Sequence, residues 1–429
     1  MTGVPEIATQ EPAAGAAPRD QKPGKPAERR LLWLLGPAFV AAIAYVDPGN
    51  VAANLTAGAQ FQYLLVWVLV AANVMAVIVQ YLSAKLGLVT GRSLPELLGD
   101  RMPRTGRLLY WAQAEVIAAA TDLAEVIGGA IALQILFGLP LVLGGVIVGV
   151  VSMGILAVQS KRGQRTFEFV MMGLLAVITI GFIASLIVSP VDWQAAAQGL
   201  VPRFEGSRSV LLAASMLGAT VMPHAVYLHS ALALDRHGAS EHPARVRRLL
   251  RANKLDVVVA LAVAGSVNIA MLLLAAASLS GMSGTDSIEG AHATIAQALG
   301  PAIGVVFGIG LLASSLASTS VGSYAGAAVM SGLLHVRMPL LVRRAITLVP
   351  ALIVLAVGID PTWALVVSQV VLSVGIPFAI IPLVWFTSRR GMMGDFVNRA
   401  PLRIAGIVAV VAIVVLNGAL IVLTAMGLE

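Results

Sequence analysis

Two short stretches place residues of chemical interest where an apolar segment has little use for them. The first is Ile43-Ala44-Tyr45-Val46-Asp47-Pro48-Gly49-Asn50, in the middle of a hydrophobic run from about residue 31 to residue 55. A carboxylate at bilayer depth costs about 2.5–3.5 kcal/mol even on the lenient insertion scale. Pro48 has no amide hydrogen, and its ring clashes with the carbonyl four residues back, so Ala44 C=O loses its helical partner. Gly49 lets the backbone leave helical angles cheaply. The spacing predicts an unwound elbow at which the Asp47 carboxylate, the Asn50 amide and a bare carbonyl converge. These are oxygen ligands, the makings of an ion site.

The second stretch is Leu217-Gly218-Ala219-Thr220-Val221-Met222-Pro223-His224, where Pro223 frees the carbonyl of Ala219 and the side chains on offer are a thioether and an imidazole. Hard cations such as Mg²⁺ and Ca²⁺ prefer oxygen alone, whereas a thioether suits later metals. One hard acid plus one soft sulfur suggests a divalent transition metal with waters completing the shell. Plainer readings exist for each residue. Pro-Gly kinks often serve packing, Met222 alone is an ordinary core filler, and His224 can be a satisfied buried histidine. Asn50 can cap the half-helix that follows the break. The midplane acid and the pairing of the two elbows favour the site.

A third cluster lies on one segment. Glu115 and Asp122 are seven residues apart and Glu125 three further on, so all three fall toward one side of a helix. Facing lipid they would be expensive; they should line a polar passage or pair with cations. A structural ladder of ion pairs and a proton route are both open on this evidence. His229 can titrate in a useful range, and Arg236 and Arg344 are candidate partners for the acids as well as ordinary anchors at segment ends. Asn73, Gln80 and Asn268 read as interhelical hydrogen-bonding amides.

The elements that must position these groups follow from composition. The chain has 429 residues, 58% hydrophobic and 11% charged. Soluble domains carry about 25% charged residues, so this is an integral membrane protein embedded in a lipid bilayer. The charge of +7 resides in short loops, which argues against nucleic acid, and with no cysteine there is neither a disulfide framework nor a thiolate ligand. Residues 1–30, rich in Pro, Ala and charge, read as a disordered tail.

Apolar runs near 32–56, 63–90, 108–137, 140–159, 166–188, 210–235, 255–281, 298–333, 340–358, 362–386 and 402–427 give about eleven spans. Runs three and four are divided only by Gly138-Leu139-Pro140, and Ser93-Leu94-Pro95-Glu96 has the capping-box pattern of a short loop helix. Arg29, Arg30 and the basic residues after segments 2, 4, 6, 8 and 10 put the N-terminus in the cytoplasm and, with an odd count, the C-terminus outside. The elbows fall on segments 1 and 6, so the repeat is five segments long and must run inverted. That is the LeuT-type plan: 31–190 as the first repeat, 191–388 as the second, and 389–429 as a loop and an extra helix.

Asp47-Pro48-Gly49-Asn50 and Met222-Pro223-His224 resemble the two signature motifs of the Nramp family of divalent metal transporters, in its bacterial MntH-type branch. The resemblance extends over segments 1 to 10 in order and spacing. It implies uptake of Mn²⁺ or Fe²⁺ coupled to proton entry, with the metal as substrate and no cofactor. By motif it implies metal binding by Asp47, Asn50 and Met222 with the carbonyls of Ala44 and Ala219. It implies too that Gln369 approaches the metal in one conformation, and that Asp122 is the proton-transfer acid. Relatives that carry magnesium or aluminium lack the methionine. A protein of this kind is expected to lie in the cell membrane, to function as a monomer and not to be an enzyme. Rival readings are a sodium- or proton-coupled carrier of a small organic solute, an intramembrane aspartyl enzyme and a channel. Asp47 would repel a substrate carboxylate, and neither a Gly-x-Gly-Asp nor a His-Glu-x-x-His motif is present.

Overall fold

The computed structural model describes residues 35–426 apart from 241, 283, 286 and 337. The tail at 1–30, with Arg29 and Arg30, lies outside the described residues. Among those described, every regular element is a helix. The first apolar run is broken into α1 (Pro37–Ile43) and α2 (Pro48–Phe61), joined by a tight 3₁₀ turn at Ala44–Val46. Then come α3 (Val66–Thr90), α4 (Leu94–Arg101), α5 (Arg104–Phe137), α6 (Leu141–Arg162), α7 (Gln164–Val188) and the short α8 (Trp193–Gln198). The sixth run is broken into α9 (Gly206–Thr220) and α10 (Pro223–His237). The remainder are α11 (Pro243–Ser278), α12 (Ile288–Leu299), α13 (Pro301–Leu334), α14 (Leu340–Val357), α15 (Pro361–Thr387), α16 (Arg390–Met393) and α17 (Ala400–Ala425).

The boundaries follow local chemistry. The loop helix α4 opens with the expected capping box, in which Ser93 N–H donates to Glu96 Oε2 at 2.7 Å. Segments 3 and 4 separate at Gly138-Leu139-Pro140 as the sequence suggests. Two boundaries differ from the hydropathy reading. The run at 298–333 is divided between α12 and α13 at Gly300-Pro301, because proline at a first helical position is tolerated while one inside a helix is not. Segment 7 begins at Pro243 rather than near 255: its basic first turns end the apolar run, but Arg and Lys are good helix formers.

Among the described residues ten helices are long and apolar enough to cross a membrane, counting α9 with α10, and α1 with its 3₁₀ turn adds a shorter apolar piece at Pro37–Val46. The two broken rods are not on the outside. Val40, Ile43, Tyr45, Val46, Met216, Leu217, Val221 and Met222 are all buried. α6, α7, α14 and α17 carry the exposed apolar side chains, among them Val150, Ile180, Ile187, Val357 and Val415, as a lipid-facing ring should. α13 packs along α5 and α7, and α11 along α2 and α3, so protein rather than lipid encloses both breaks.

Candidate metal site at the two helix breaks

The first break is built by one residue doing the work of a cap. Asp47 sits at φ −71°, ψ 168°, outside helical space, and α2 starts at Pro48, where the missing N–H has no partner to lose. Asp47 Oδ1 accepts from Asn50 N–H at 2.8 Å and from Asn50 Nδ2 at 2.6 Å. The cap of α2 is therefore Asp47, not Asn50; Asn50 is the third helical residue, whose side chain reaches back. Asp47 Oδ2 is fully buried and has no hydrogen-bond partner. A buried carboxylate oxygen without a donor is costly unless a cation takes that place.

The break also orphans carbonyls, and side chains from other helices answer them. Asn268 Nδ2 donates to Tyr45 C=O at 2.7 Å, and Ser314 Oγ donates to Val46 C=O. Pro48 cannot reach back to Ala44, and the backbone there tightens into the 3₁₀ turn.

At the second break, Val221 and Met222 leave helical angles and α10 begins at Pro223. The two elbows meet through Asn50, whose Nδ2 donates to Ala219 C=O at 3.0 Å while Thr220 Oγ1 lies 3.4 Å from its Oδ1. Ala44, Tyr45, Val46 and Met222 share one buried cluster. Gln369 of α15 closes the group: it is buried, neither amide atom has a partner, and it lies so close over Gly49 that a Cβ there would collide with it. A side chain at 49 would therefore have to displace the Gln369 amide. Among the described residues no group of three or more His, Asp or Glu is placed to hold a metal. The groups brought together here are the Asp47 carboxylate, the Asn50 and Gln369 amides and the Ala219 carbonyl, oxygen donors suited to a partly hydrated divalent ion.

The acids of α5 face protein. Glu115 pairs with Arg343 at 2.6 Å. Asp122 pairs with Arg344 and accepts from Thr319 Oγ1 at 2.6 Å. Glu125 is fully buried with both carboxylate oxygens unpartnered. Arg344, proposed as a partner from sequence, is one; Arg236 lies instead 3.3 Å from Glu168 of α7. His229 Nδ1 is 2.8 Å from Gln80 Oε1, and Gln80 Nε2 donates to Tyr45 OH at 2.7 Å. His224 is buried with neither ring nitrogen partnered, and with Glu115, Pro223 and Tyr227 it lines a cavity of about 10 Å³, roughly the room one water needs.

Several participants escaped the sequence reading. Ser314 and Thr319 belong to a visible Ser/Thr-rich stretch of segment 8 whose targets only the fold reveals. Asp256 of α11 accepts from Gly36 N–H at 3.1 Å with each oxygen and from Ala38 N–H at 3.0 Å, anchoring the start of α1. An acid where the apolar run of α11 begins was the available signal.

The family model described as natural resistance-associated macrophage protein-like (Nramp) matches residues 38–423. A curated relative from Mycobacterium tuberculosis (strain ATCC 25618 / H37Rv), named divalent metal cation transporter MntH, is 61% identical over 395 residues, 92% of each chain. A crystal structure of the Eremococcus coleocola manganese transporter, with an aromatic bis-isothiourea compound, superposes with a TM-score of 0.83 at 31% identity, covering 90% of this chain and 85% of that one. The nucleobase-cation-symport-1 transporter Mhp1, at 15% identity and a TM-score of 0.60 over 90% of this chain and 92% of its own, shares the fold alone. The architecture is the LeuT-type 5+5 inverted repeat with discontinuous helices 1 and 6 and an added C-terminal helix. On the match of nine-tenths of its length and the presence of both motifs at the two breaks, this chain is a member of the Nramp family.

Proposed function

We propose that this protein carries divalent transition-metal ions, Mn²⁺ and also Fe²⁺, across the cell membrane by alternating access, driven by proton entry. The observation that carries the reading is Asp47 Oδ2, a buried carboxylate oxygen with no donor, at a helix break in contact with a second break. Asn50 Nδ2, between Asp47 Oδ1 and Ala219 C=O, occupies a position in which a positive charge is welcome. When an ion arrives, the Asn50 amide turns to present its oxygen. Asp47, Asn50, Met222 and the carbonyls of Ala44 and Ala219 then hold the substrate, with Gln369 approaching from α15. Met222 selects: its sulfur adds little for Mn²⁺ but makes the site a poorer home for Ca²⁺ and Mg²⁺. The relatives named for divalent metal cations and for manganese support this substrate class.

Protons are assigned to the adjoining polar region. Metal charge favours the ionised form of Asp47, and Asp122 receives the displaced proton, with Glu125, Glu115, His224 and His229 as further stations; Arg344 and Arg343 are the facing cations, while Arg236 pairs with Glu168. Tilting of α1 and α10 opens the cytoplasmic side. The N-terminus is cytoplasmic and the C-terminus extracytoplasmic. A single chain suffices for transport.

The test is Mn²⁺ uptake into proteoliposomes with simultaneous recording of internal pH. Wild-type protein should take up Mn²⁺ and acidify the lumen, and Asp47→Ala should abolish uptake. Wild-type-like uptake by Asp47→Ala refutes the site; uptake with no acidification refutes the coupling.

A further inference from the structure

The hydroxyls of α13 lie against both the metal elbow and the acids of α5. Ser314 Oγ donates to Val46 C=O beside Asp47, Ser315 Oγ donates to Glu125 C=O, and Thr319 Oγ1 donates to Asp122 Oδ1 at 2.6 Å. Asp122 is held unevenly. Its Oδ1 receives both Thr319 and the Arg344 guanidinium, whereas its Oδ2 is buried and has no donor. Thr319 is itself fully buried, and its carbonyl accepts from Ser323 Oγ at 3.0 Å, so its hydroxyl has a fixed origin.

From this asymmetry we infer that Thr319 is a positioning residue for proton transfer: with Arg344 it occupies Oδ1 of Asp122 and leaves Oδ2 as the atom that takes the proton. The inference rests on the proton role proposed for Asp122. No bond other than O–H changes. A proton arrives at Oδ2 and later leaves from it, while Oδ1 keeps both donors. The titratable and charged groups around Asp122 are few. α14 supplies Arg344, which is itself fixed by Nε donating to Ser152 Oγ of α6 at 2.8 Å. α5 supplies Glu125, and beyond it stands Asp47 at the break before α2. α13 supplies the neutral Thr319. Without its hydroxyl the anion loses one of two donors and the carboxyl group is free to turn.

A hydrogen bond to a charged group is worth about 1.5–3 kcal/mol, and one pH unit corresponds to about 1.4 kcal/mol. Thr319→Val, nearly isosteric, should therefore move the midpoint of the pH profile of Mn²⁺-driven proton entry upward by about one unit. Its Mn²⁺ affinity, measured by calorimetry on the same full-length protein, should stay within about twofold, and Thr319→Ser should restore the wild-type profile. A merely structural threonine would lower uptake at every pH without moving the midpoint. An unmoved midpoint in Thr319→Val, or failure of serine to rescue, overturns the inference. Should the valine variant not reach the bilayer, Thr319→Ala is read against Thr319→Ser in the same way. Asp122→Asn is run in parallel. If it couples protons like wild type, the reading of Asp122 fails; if it uncouples while Thr319→Val behaves as wild type, only the role of Thr319 fails.

Discussion

At the scale of single residues, the site depends on a few side chains whose partners are incomplete. Asp47 Oδ2, both amide atoms of Gln369 and both oxygens of Glu125 are buried without donors or acceptors. Ordinary cores avoid this, because each such group costs about 1–3 kcal/mol. Met222 has no polar group to satisfy, and the role proposed for it is selectivity. Met222→Ala should keep Mn²⁺ uptake within about tenfold of wild type, a change of ~1.4 kcal/mol, while letting Ca²⁺ compete. Uptake assayed with and without excess Ca²⁺ reads this directly, and unchanged Ca²⁺ exclusion would remove the selective role. The residues legible in advance were those whose chemistry contradicts their surroundings: an acid, a proline and a glycine in an apolar run. Thr319 could not be picked out so, since threonine is at home in a membrane helix and its contact with Asp122 spans 197 residues of sequence.

At the scale of elements, the helix breaks were readable because proline acts locally. The ends of α1 and α9 fall within a few residues of Pro48 and Pro223, whatever the rest of the chain does. What holds each half-helix was not readable. The start of α1 hangs on Asp256, 218 to 220 residues away, through hydrogen bonds to Gly36 and Ala38. Gly36 adopts φ 144°, and a Cβ there would meet the Glu168 carboxylate, so this entry to α1 is specific to glycine. α10 is tied nearby, with Gln164 Nε2 donating to Leu232 C=O at 3.0 Å and Tyr324 OH donating to Asp235 at 2.8 Å. Removing the Asp256 anchor should loosen α1 first. The chain has no cysteine, so a thiol introduced as Ala41→Cys, at a position buried in this structure, reports the motion cleanly. In that background Asp256→Ala should raise labelling from the cytoplasmic side about tenfold or more, since hydrogen bonds to a carboxylate carry about 1.5–3 kcal/mol. Equal labelling with and without Asp256 would show that the start of α1 is held by something else.

At the scale of the whole molecule, composition and run length were enough for the count of spans, while the inverted plan needed the further observation that the breaks lie five segments apart. Orientation is a separate matter, set by the distribution of Arg and Lys among the loops rather than by internal packing. A reporter fused after residue 429 that is active only outside the cytoplasm should be active here, and one placed before residue 1 should be silent; the reverse pattern would invert the assignment of sides. One detail of the first break bears on the entire transport cycle. Asp47 gives one oxygen to the start of α2 and leaves the other without a partner, the atom proposed to hold the cargo. In the proposed cycle, folding and carriage therefore draw on different atoms of the same carboxyl group. The vacant carrier can make its return journey with the half-helix still wound, the cup standing ready between deliveries.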